Sequence, residues 1–236
     1  MNAIVSKIKR YPATACIFLY NIALIVLSII TPNTIVPLSA YGLFLRGNII
    51  SIITYPGAYF RIGTIVITIQ MVSEILALLL IGHRSEDIYG SIRTSTVFFS
   101  SNIIGGVFSC YLNLISITQT RSIIYITYVG NYPGIMALLF LYSLHRPNHK
   151  EWLPLFLPYG IIVPCKVRRM GIIMYNFGVA VSSFCFYAMP FNHICFSSLL
   201  VVYPYAYILY LVCLRGSVDS RQAEHNLWYY GLTKVV

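Results

Sequence analysis

The chain has 236 residues, of which 58% are hydrophobic and only 9% are charged, and its mean hydropathy is +0.77. Because about a quarter of the residues of a soluble domain are charged, this composition excludes an ordinary soluble protein. The formal net charge is +10, but the basic residues are dispersed and form no stripe with stacking aromatic residues. A nucleic-acid partner is therefore not expected.

Long apolar runs set the expected fold class. Unpaired backbone amides are costly in hydrocarbon, so a segment that spans a bilayer must be a helix or part of a closed barrel. The apolar runs here have helical length and no strand-like alternation. We therefore predict an all-α, polytopic membrane protein with six transmembrane helices over residues 13–30, 62–81, 94–114, 122–144, 170–189 and 194–214.

Two further apolar stretches, 35–60 and 153–165, are interrupted by proline residues. Proline removes a backbone donor and breaks helices, so these stretches are predicted to be interfacial or re-entrant segments that do not span the bilayer.

The distribution of basic residues predicts the orientation. With the N-terminus inside, thirteen of the sixteen lysine and arginine residues fall on the cytosolic side, and only Arg46, Arg61 and Arg121 fall on the other. Because basic residues are retained in the cytosol, both termini are expected there. The predicted organisation is a cytosolic segment at 1–12, a membrane domain at 13–214 and a short cytosolic tail at 215–236.

Glu74 is the only acidic residue within a predicted span. An ionisable group at that depth suggests a functional role, such as transport or proton relay. The alternative is structural, and we favour it: a carboxyl group facing the bundle can hydrogen-bond to Gln70, Asn102 or Asn176.

The third predicted helix carries a series of small and polar residues, which suit close helix packing better than a substrate path. These residues are Ser100, Ser101, Asn102, Gly105, Gly106 and Ser109. The five histidines and six cysteines show no ligand spacing, so we expect no metal and no cofactor.

Several short motifs resemble the rhomboid superfamily, and in particular its Derlin branch. They are PATAC at 12–16 leading to IITP at 29–32, IITYPG at 52–57, EDIYGSIR at 86–93, and the stretch from IM at 135–136 to SLHRP at 143–147. The overall order is also similar: a basic N-terminus, one helix, a long broken loop and five closely spaced helices. The resemblance implies a rhomboid-like six-helix bundle.

The resemblance also implies an absence of protease activity. Active rhomboids place a nucleophilic serine in a Gly-x-Ser-Gly turn at the start of helix 4 and activate it with a histidine on helix 6. The matching turn here runs from Gly130 to Gly134 and has Pro133 at the position of the serine. A pseudoprotease, rather than an enzyme, is therefore expected.

Derlins are such pseudoproteases, and the resemblance implies a role in endoplasmic-reticulum-associated degradation. The expected partners are misfolded client proteins, a membrane ubiquitin-ligase complex, an AAA unfoldase and the lipid bilayer. Rhomboid-like pseudoproteases of other ubiquitin-ligase complexes are a second possible subgroup. Gln70, Glu74 and Asn102 are the predicted client contacts, since polar side chains in a span can bond an exposed client backbone.

Two other functions remain open from the residues alone. Glu74 and the broken stretch 153–165 favour a small transporter or channel subunit, although no internal repeat relates the two halves of the chain. The third possibility is a structural subunit of a larger membrane complex.

Overall fold

The computed structural model describes residues 10–31, 34–61, 65–115, 127–145, 148–156, 162–185 and 198–214. These residues are predominantly helical, as predicted, with two small sheets. The helices are α1 (Pro12–Ile30), α2 (Ser51–Thr54), α3 (Ile65–Tyr89), α4 (Ser91–Ile115), α5 (Tyr132–Leu144), α6 (Arg169–Cys185) and α7 (Leu199–Leu209). The strands are β1 (Leu38–Ser39), β2 (Thr127–Tyr128), β3 (Lys150–Phe156) and β4 (Ile162–Arg168). The predicted tail at 215–236 and most of the predicted N-terminal segment lie outside the described residues.

The second and third predicted helices are longer than their apolar runs. The stretch at 86–93, expected to be a loop, instead contains the last turn of α3 and the first turn of α4. The two helices meet at Gly90, whose φ of 83° is a conformation that favours glycine. An apolar run predicts only the apolar portion of a helix, and polar residues with good helix propensity extend the helix beyond that run.

The fourth predicted helix, 122–144, begins later than expected. Within the described residues its helix, α5, starts at Tyr132 and is only 13 residues long. Thr127 and Tyr128 instead pair with Ser39 and Leu38 as a short antiparallel ladder. Pro133 lies in the first turn of α5, where its missing N–H is not needed.

The described residues of the stretch 153–165, predicted to be interfacial or re-entrant, lie within a pair of β-strands. Residues 150–156 and 162–168 form an antiparallel β-hairpin, in which Pro154 lies opposite Pro164. A two-stranded hairpin has only edge strands, and edges tolerate proline where no ladder bond is required. The other proline-broken stretch is irregular, with a π-helix at Tyr41–Leu45, the single turn α2 and a 3₁₀ helix at Tyr55–Arg61.

The short helix α5 lies at the centre of the fold. Residues 131–139 are all buried, and α5 packs against α3, α4, α6 and α7. A Cβ added at Gly105 of α4 would lie 2.7 Å from Pro133, and one at Gly134 would lie 2.8 Å from the Phe98 carbonyl oxygen. The small residues of α4 therefore allow close backbone approach, as the packing interpretation predicted.

Two described helices, α1 and α4, are long and apolar enough to cross a membrane, and α5 and Leu199–Val212 are shorter apolar helices. The α6 and α7 helices cover much of the fifth and sixth predicted spans, and α7 contains Pro204 and continues into a π-helix at Tyr210–Leu214. Residues 186–197, which separate α6 from α7, lie outside the described part.

The start of α1, the end of α3 and the hairpin lie at one end of the molecule. The buried Glu86 carboxylate accepts hydrogen bonds from the Ala13 and Thr14 backbone N–H groups, each at 2.9 Å, and from the Ser91 hydroxyl at 2.6 Å. A carboxylate at this position satisfies unpaired donors of α1 and complements its dipole. Arg84 of α3 donates to the Trp152 carbonyl of the hairpin at 3.0 Å.

Candidate functional site

A buried polar network surrounds the N-terminus of α5. It contains Asn21 from α1, Gln70 and Glu74 from α3, Asn102 from α4 and Asn131 from the turn before α5. All five side chains are at most 4% exposed. Four segments that are distant in sequence therefore contribute polar groups to one site within an apolar fold.

The Glu74 carboxylate accepts hydrogen bonds from neutral donors. Gln70 Nε2 donates to Oε1 at 2.7 Å, and the Asn131 backbone N–H donates to Oε2. The first contact is one of the structural interactions expected for Glu74. The Gln70 Oε1 atom is buried and has no hydrogen-bond partner among the described residues, so this acceptor is available to a new donor.

Asparagine side chains extend the network from Glu74 toward α1 and α4. Asn131 Nδ2 donates to Asn21 Oδ1 at 2.5 Å, and Asn102 Oδ1 accepts from the Gly134 backbone N–H at 2.8 Å. The Gly134 amide is at the N-terminus of α5, where no intrahelical acceptor is available. Asn102 thus satisfies a helix-start donor while its own carbonyl accepts from the Tyr55 hydroxyl at 2.9 Å.

Gly130 forms one wall of the Glu74 site. Its φ is +94°, and a Cβ at this position would lie 2.6 Å from Glu74 Oε1. Only glycine combines this backbone conformation with so close an approach of a carboxylate. The turn expected to correspond to a protease nucleophile turn therefore wraps around an acid, and Pro133 packs on Gly105.

An apolar cleft leads from the molecular surface to Asn102. Its volume is about 260 Å³, and it is lined by Tyr20, Ile52, Ile53, Pro56, Phe99, Asn102 and Ile103. Ile53 and Ile103, at its mouth, are 57% and 43% exposed. Among the described lining residues, Asn102 is the one with an amide side chain, and this side chain also belongs to the buried network.

The structure brings together all six residues singled out from the sequence. Gln70, Glu74 and Asn102 lie beside the turn that contains Gly130, Pro133 and Gly134. Of the three predicted client contacts, Asn102 lines the cleft, whereas Gln70 and Glu74 lie behind it. Asn176, the other suggested partner of Glu74, has a side chain outside the described part.

Sequence reasoning missed Asn21, Asn131 and Tyr55. Asn21 had a recognisable signal, because an amide in the middle of an apolar helix commonly bonds across helices. Asn131 has no sequence signal beyond its place in the Gly130–Gly134 turn, and Tyr55 is not distinguishable by sequence from other interfacial tyrosines.

A second polar cluster, which contains charged pairs, lies at the C-terminal end of α5. The Arg169 guanidinium bonds to Glu151 and to the His145 carbonyl, and it donates to the Tyr142 hydroxyl at 2.8 Å. Arg84 lies 3.8 Å from the same carboxylate. Burial raises the pKa of Glu151, but hydrogen bonds from Tyr142 and Arg169 and the two arginine charges outweigh it, so the pKa is lowered overall.

No protein-family model, no curated protein and no solved structure matches this chain.

Proposed function

We propose that the chain is a multi-pass membrane protein of six helical segments, one of which, α5, lies at the centre. The support comes from exposure as well as from hydropathy. Only 39% and 44% of the most apolar windows of α1 and α4 are buried within the molecule. Large apolar residues are also exposed on both α1 and α3, for example Leu19 and Ile30 at 61% and 69% and Leu76 at 55%. A soluble monomer rarely exposes so much apolar surface, whereas lipid tolerates it.

We further propose that the protein is a non-catalytic receptor for client segments, rhomboid-like in arrangement. The observation that supports this proposal is the cleft that opens beside Ile53 and Ile103 and ends at Asn102. An apolar client segment enters the cleft from the lipid, and its exposed backbone groups bond to the Asn102 amide. A hydrogen bond is valuable there because lipid offers the client no alternative partner.

The turn at Gly130 to Gly134 supports a recognition role over a hydrolytic one. Proline has no hydroxyl, so Pro133 supplies no nucleophile. Asn131 and Glu74 are engaged with each other and with neighbouring amides. These contacts hold the start of α5 and the floor of the cleft in place, which is a structural contribution to client binding.

The cellular setting is proposed from the resemblance to Derlins: the endoplasmic-reticulum membrane, with both termini cytosolic. In this setting the protein receives or retrotranslocates misfolded clients and passes them to a membrane ubiquitin ligase, and an AAA unfoldase completes extraction.

Site-specific photo-crosslinking tests client reception. A photoreactive residue at Ile53 or Ile103 is expected to crosslink to degradation clients, whereas the same residue at Leu76, which is equally exposed on α3 but outside the cleft, is not. Equal crosslinking at Leu76 would argue against the cleft. Filling the cleft with Ile103→Phe should lengthen client half-lives, with Leu76→Phe as the matched control.

Depletion and reconstitution separate the remaining functions. If depletion leaves client half-lives unchanged, the degradation role is wrong. Purified protein in liposomes that conducts an ion or solute, with the flux abolished by Glu74→Gln, would instead support a transporter. Co-purification with one partner in a fixed ratio, and instability without it, would indicate a structural subunit.

A further inference from the structure

The outward face of the hairpin concentrates basic side chains around a tryptophan. Residues alternate between the two faces of a strand, and Lys150, Trp152, Lys166 and Arg168 share the exposed face. Trp152 is 59% exposed. The inward face instead carries Glu151 and the fully buried Leu153, which anchor the hairpin to α5 and α6.

The cross-strand register opposes like charges. Lys150 lies directly opposite Arg168, and Trp152 lies opposite Lys166. Pro154 and Pro164 form the next pair on the same face, and neither can donate a ladder bond. Because hydrogen-bonded and non-hydrogen-bonded pairs alternate, all three pairs on this face are of the non-hydrogen-bonded type, in which the side chains are closest. The Trp152 carbonyl is consequently free to accept from Arg84. Like charges directly opposite each other destabilise a hairpin.

No neighbouring acid compensates this arrangement within the described residues. The ion pairs there join Glu151 to Arg84 and Arg169, and none includes Lys150, Lys166 or Arg168. Glu74 and Glu86 are buried in other contacts, and Asp87 accepts from Tyr11. The basic face therefore has a local excess of positive charge that an external anion would neutralise.

We infer that this face binds anionic phospholipid headgroups of the leaflet next to it. Two observations favour lipid over an acidic protein. The hairpin connects α5 to α6, so it lies where proposed membrane helices leave the bilayer, and exposed Met170 and Met174 of α6, at 44% and 62%, continue from it. An exposed tryptophan among basic residues suits the headgroup level, where its ring contacts both lipid and water.

The hairpin then has a role beyond determining topology: it selects the lipids around the α5–α6 connection. This inference depends on the membrane placement proposed above, but not on client reception. The opposed charges cost little when headgroups of net negative charge lie between them, and their repulsion returns in a bilayer without net charge.

Trp152 provides a direct measurement. The chain has two tryptophans, so Trp228→Phe leaves Trp152 as the only indole. The full-length protein is placed in two kinds of nanodisc that contain the same fraction of dibrominated acyl chains. In one kind the brominated lipid is phosphatidylserine, and in the other it is phosphatidylcholine. We expect brominated phosphatidylserine to quench Trp152 at least about twofold more strongly than brominated phosphatidylcholine does. The reason is that each basic residue near an anionic surface changes the local occupancy of anionic lipid by up to about fivefold.

The preference should disappear in high salt, which screens exposed charges, and in Lys150→Gln/Arg168→Gln. The matched control, Arg10→Gln/Arg46→Gln, also removes two exposed charges but lies outside the hairpin and should keep the preference. In phosphatidylcholine alone, Lys150→Gln should raise the unfolding midpoint by relieving repulsion.

Equal quenching by the two lipids, or equal loss in both double variants, would overturn the inference. Failure of the membrane placement gives a different result, because the protein would then not incorporate into nanodiscs and neither lipid would quench Trp152.

Discussion

The two ends of α5 both hold a carboxylate, but they hold it in different ways. Glu74, at the N-terminal end, is 1% exposed and accepts from an amide side chain and a backbone N–H. Glu151, at the C-terminal end, is 18% exposed and bonds to the guanidinium of Arg169. In the described contacts, Glu74 bonds to neutral dipoles, whereas Glu151 bonds to a cation.

This difference follows from the surroundings. A buried ion pair must repay the loss of hydration of both charges, which is difficult deep in an apolar bundle. Neutral dipoles lose less hydration free energy on burial than ions do, so amides are the more favourable partners for Glu74. At the hairpin, the side chains of Arg84 and Glu151 are 28% and 18% exposed to water, so the desolvation penalty of a charged pair is smaller. The Glu74 end should therefore respond mainly to shape, and the Glu151 end to charge, salt and pH.

The largest expected effect is at Gly130, where shape decides. Gly130→Ala places a methyl group against the Glu74 carboxylate in an unfavourable backbone conformation. Strain and overpacking together should lower the free energy of unfolding by about 3 kcal/mol or more. Denaturant unfolding in detergent measures this. Gly171→Ala is the control, since nothing lies within 4 Å of its new methyl group; a comparable loss there would show that the Glu74 wall is not special.

Next in size is the loss of Arg169, where charge decides. Arg169→Gln leaves Glu151 without its closest cation and the His145 carbonyl without its donor. Breaking a partly buried pair in this way should lower the free energy of unfolding by about 2–3 kcal/mol. Its exposed neighbour Arg168 is the matched control; because it lies opposite Lys150, Arg168→Gln should leave stability unchanged or raise it by up to about 0.5 kcal/mol. If the two variants unfold alike, the charged cluster does not stabilise the hairpin.

The comparison of the two ends also shows what the sequence can predict. Hydropathy predicted the predominantly helical character because apolar runs are a local property, and the small residues of α4 correctly indicated close packing. The hairpin was missed because Pro154 and Pro164 argue against a strand individually, and only their pairing makes them compatible. The late start of α5 was missed because Thr127 and Tyr128 belong to a mostly apolar stretch that continues into the helix.

The candidate site was predicted in composition but not in geometry. Glu74 stood out as an isolated acid, and Gln70 is one turn away on the same helix, so their contact could be anticipated. The Asn131 N–H and Asn21 come from other segments, and no spacing relates them to Glu74. The cleft was unpredictable for the same reason, since its lining combines α1, α2 and α4.

A smaller effect sharpens the contrast between the carboxylates. Glu74→Gln keeps an acceptor for the Asn131 N–H. Its new amide can donate to Gln70 Oε1, which has no partner among the described residues, after the Gln70 amide flips. We expect a loss of less than about 1 kcal/mol. Glu151→Gln should cost more, about 1–2 kcal/mol, because the buried Arg169 charge loses its counter-charge.

Unfolding of the two variants side by side measures this difference. The more exposed glutamate is expected to be the more sensitive one, which is the reverse of what burial alone predicts. A larger loss for Glu74→Gln would mean that its negative charge, and not its hydrogen bonds, stabilises the start of α5.

The smallest effect is the pH dependence of the hairpin. The pKa of Glu151 is lowered from 4.5 in the folded protein, so the folded state favours the ionised carboxylate. Its contribution to stability is complete above about pH 5 and decreases as the pH falls through the lowered folded value. The difference in unfolding free energy between the wild type and Glu151→Gln should therefore be constant from about pH 5 to 7 and shrink as the pH falls below the unfolded pKa of about 4.5. A difference that does not shrink at all as the pH falls would mean that Glu151 acts by packing rather than by charge.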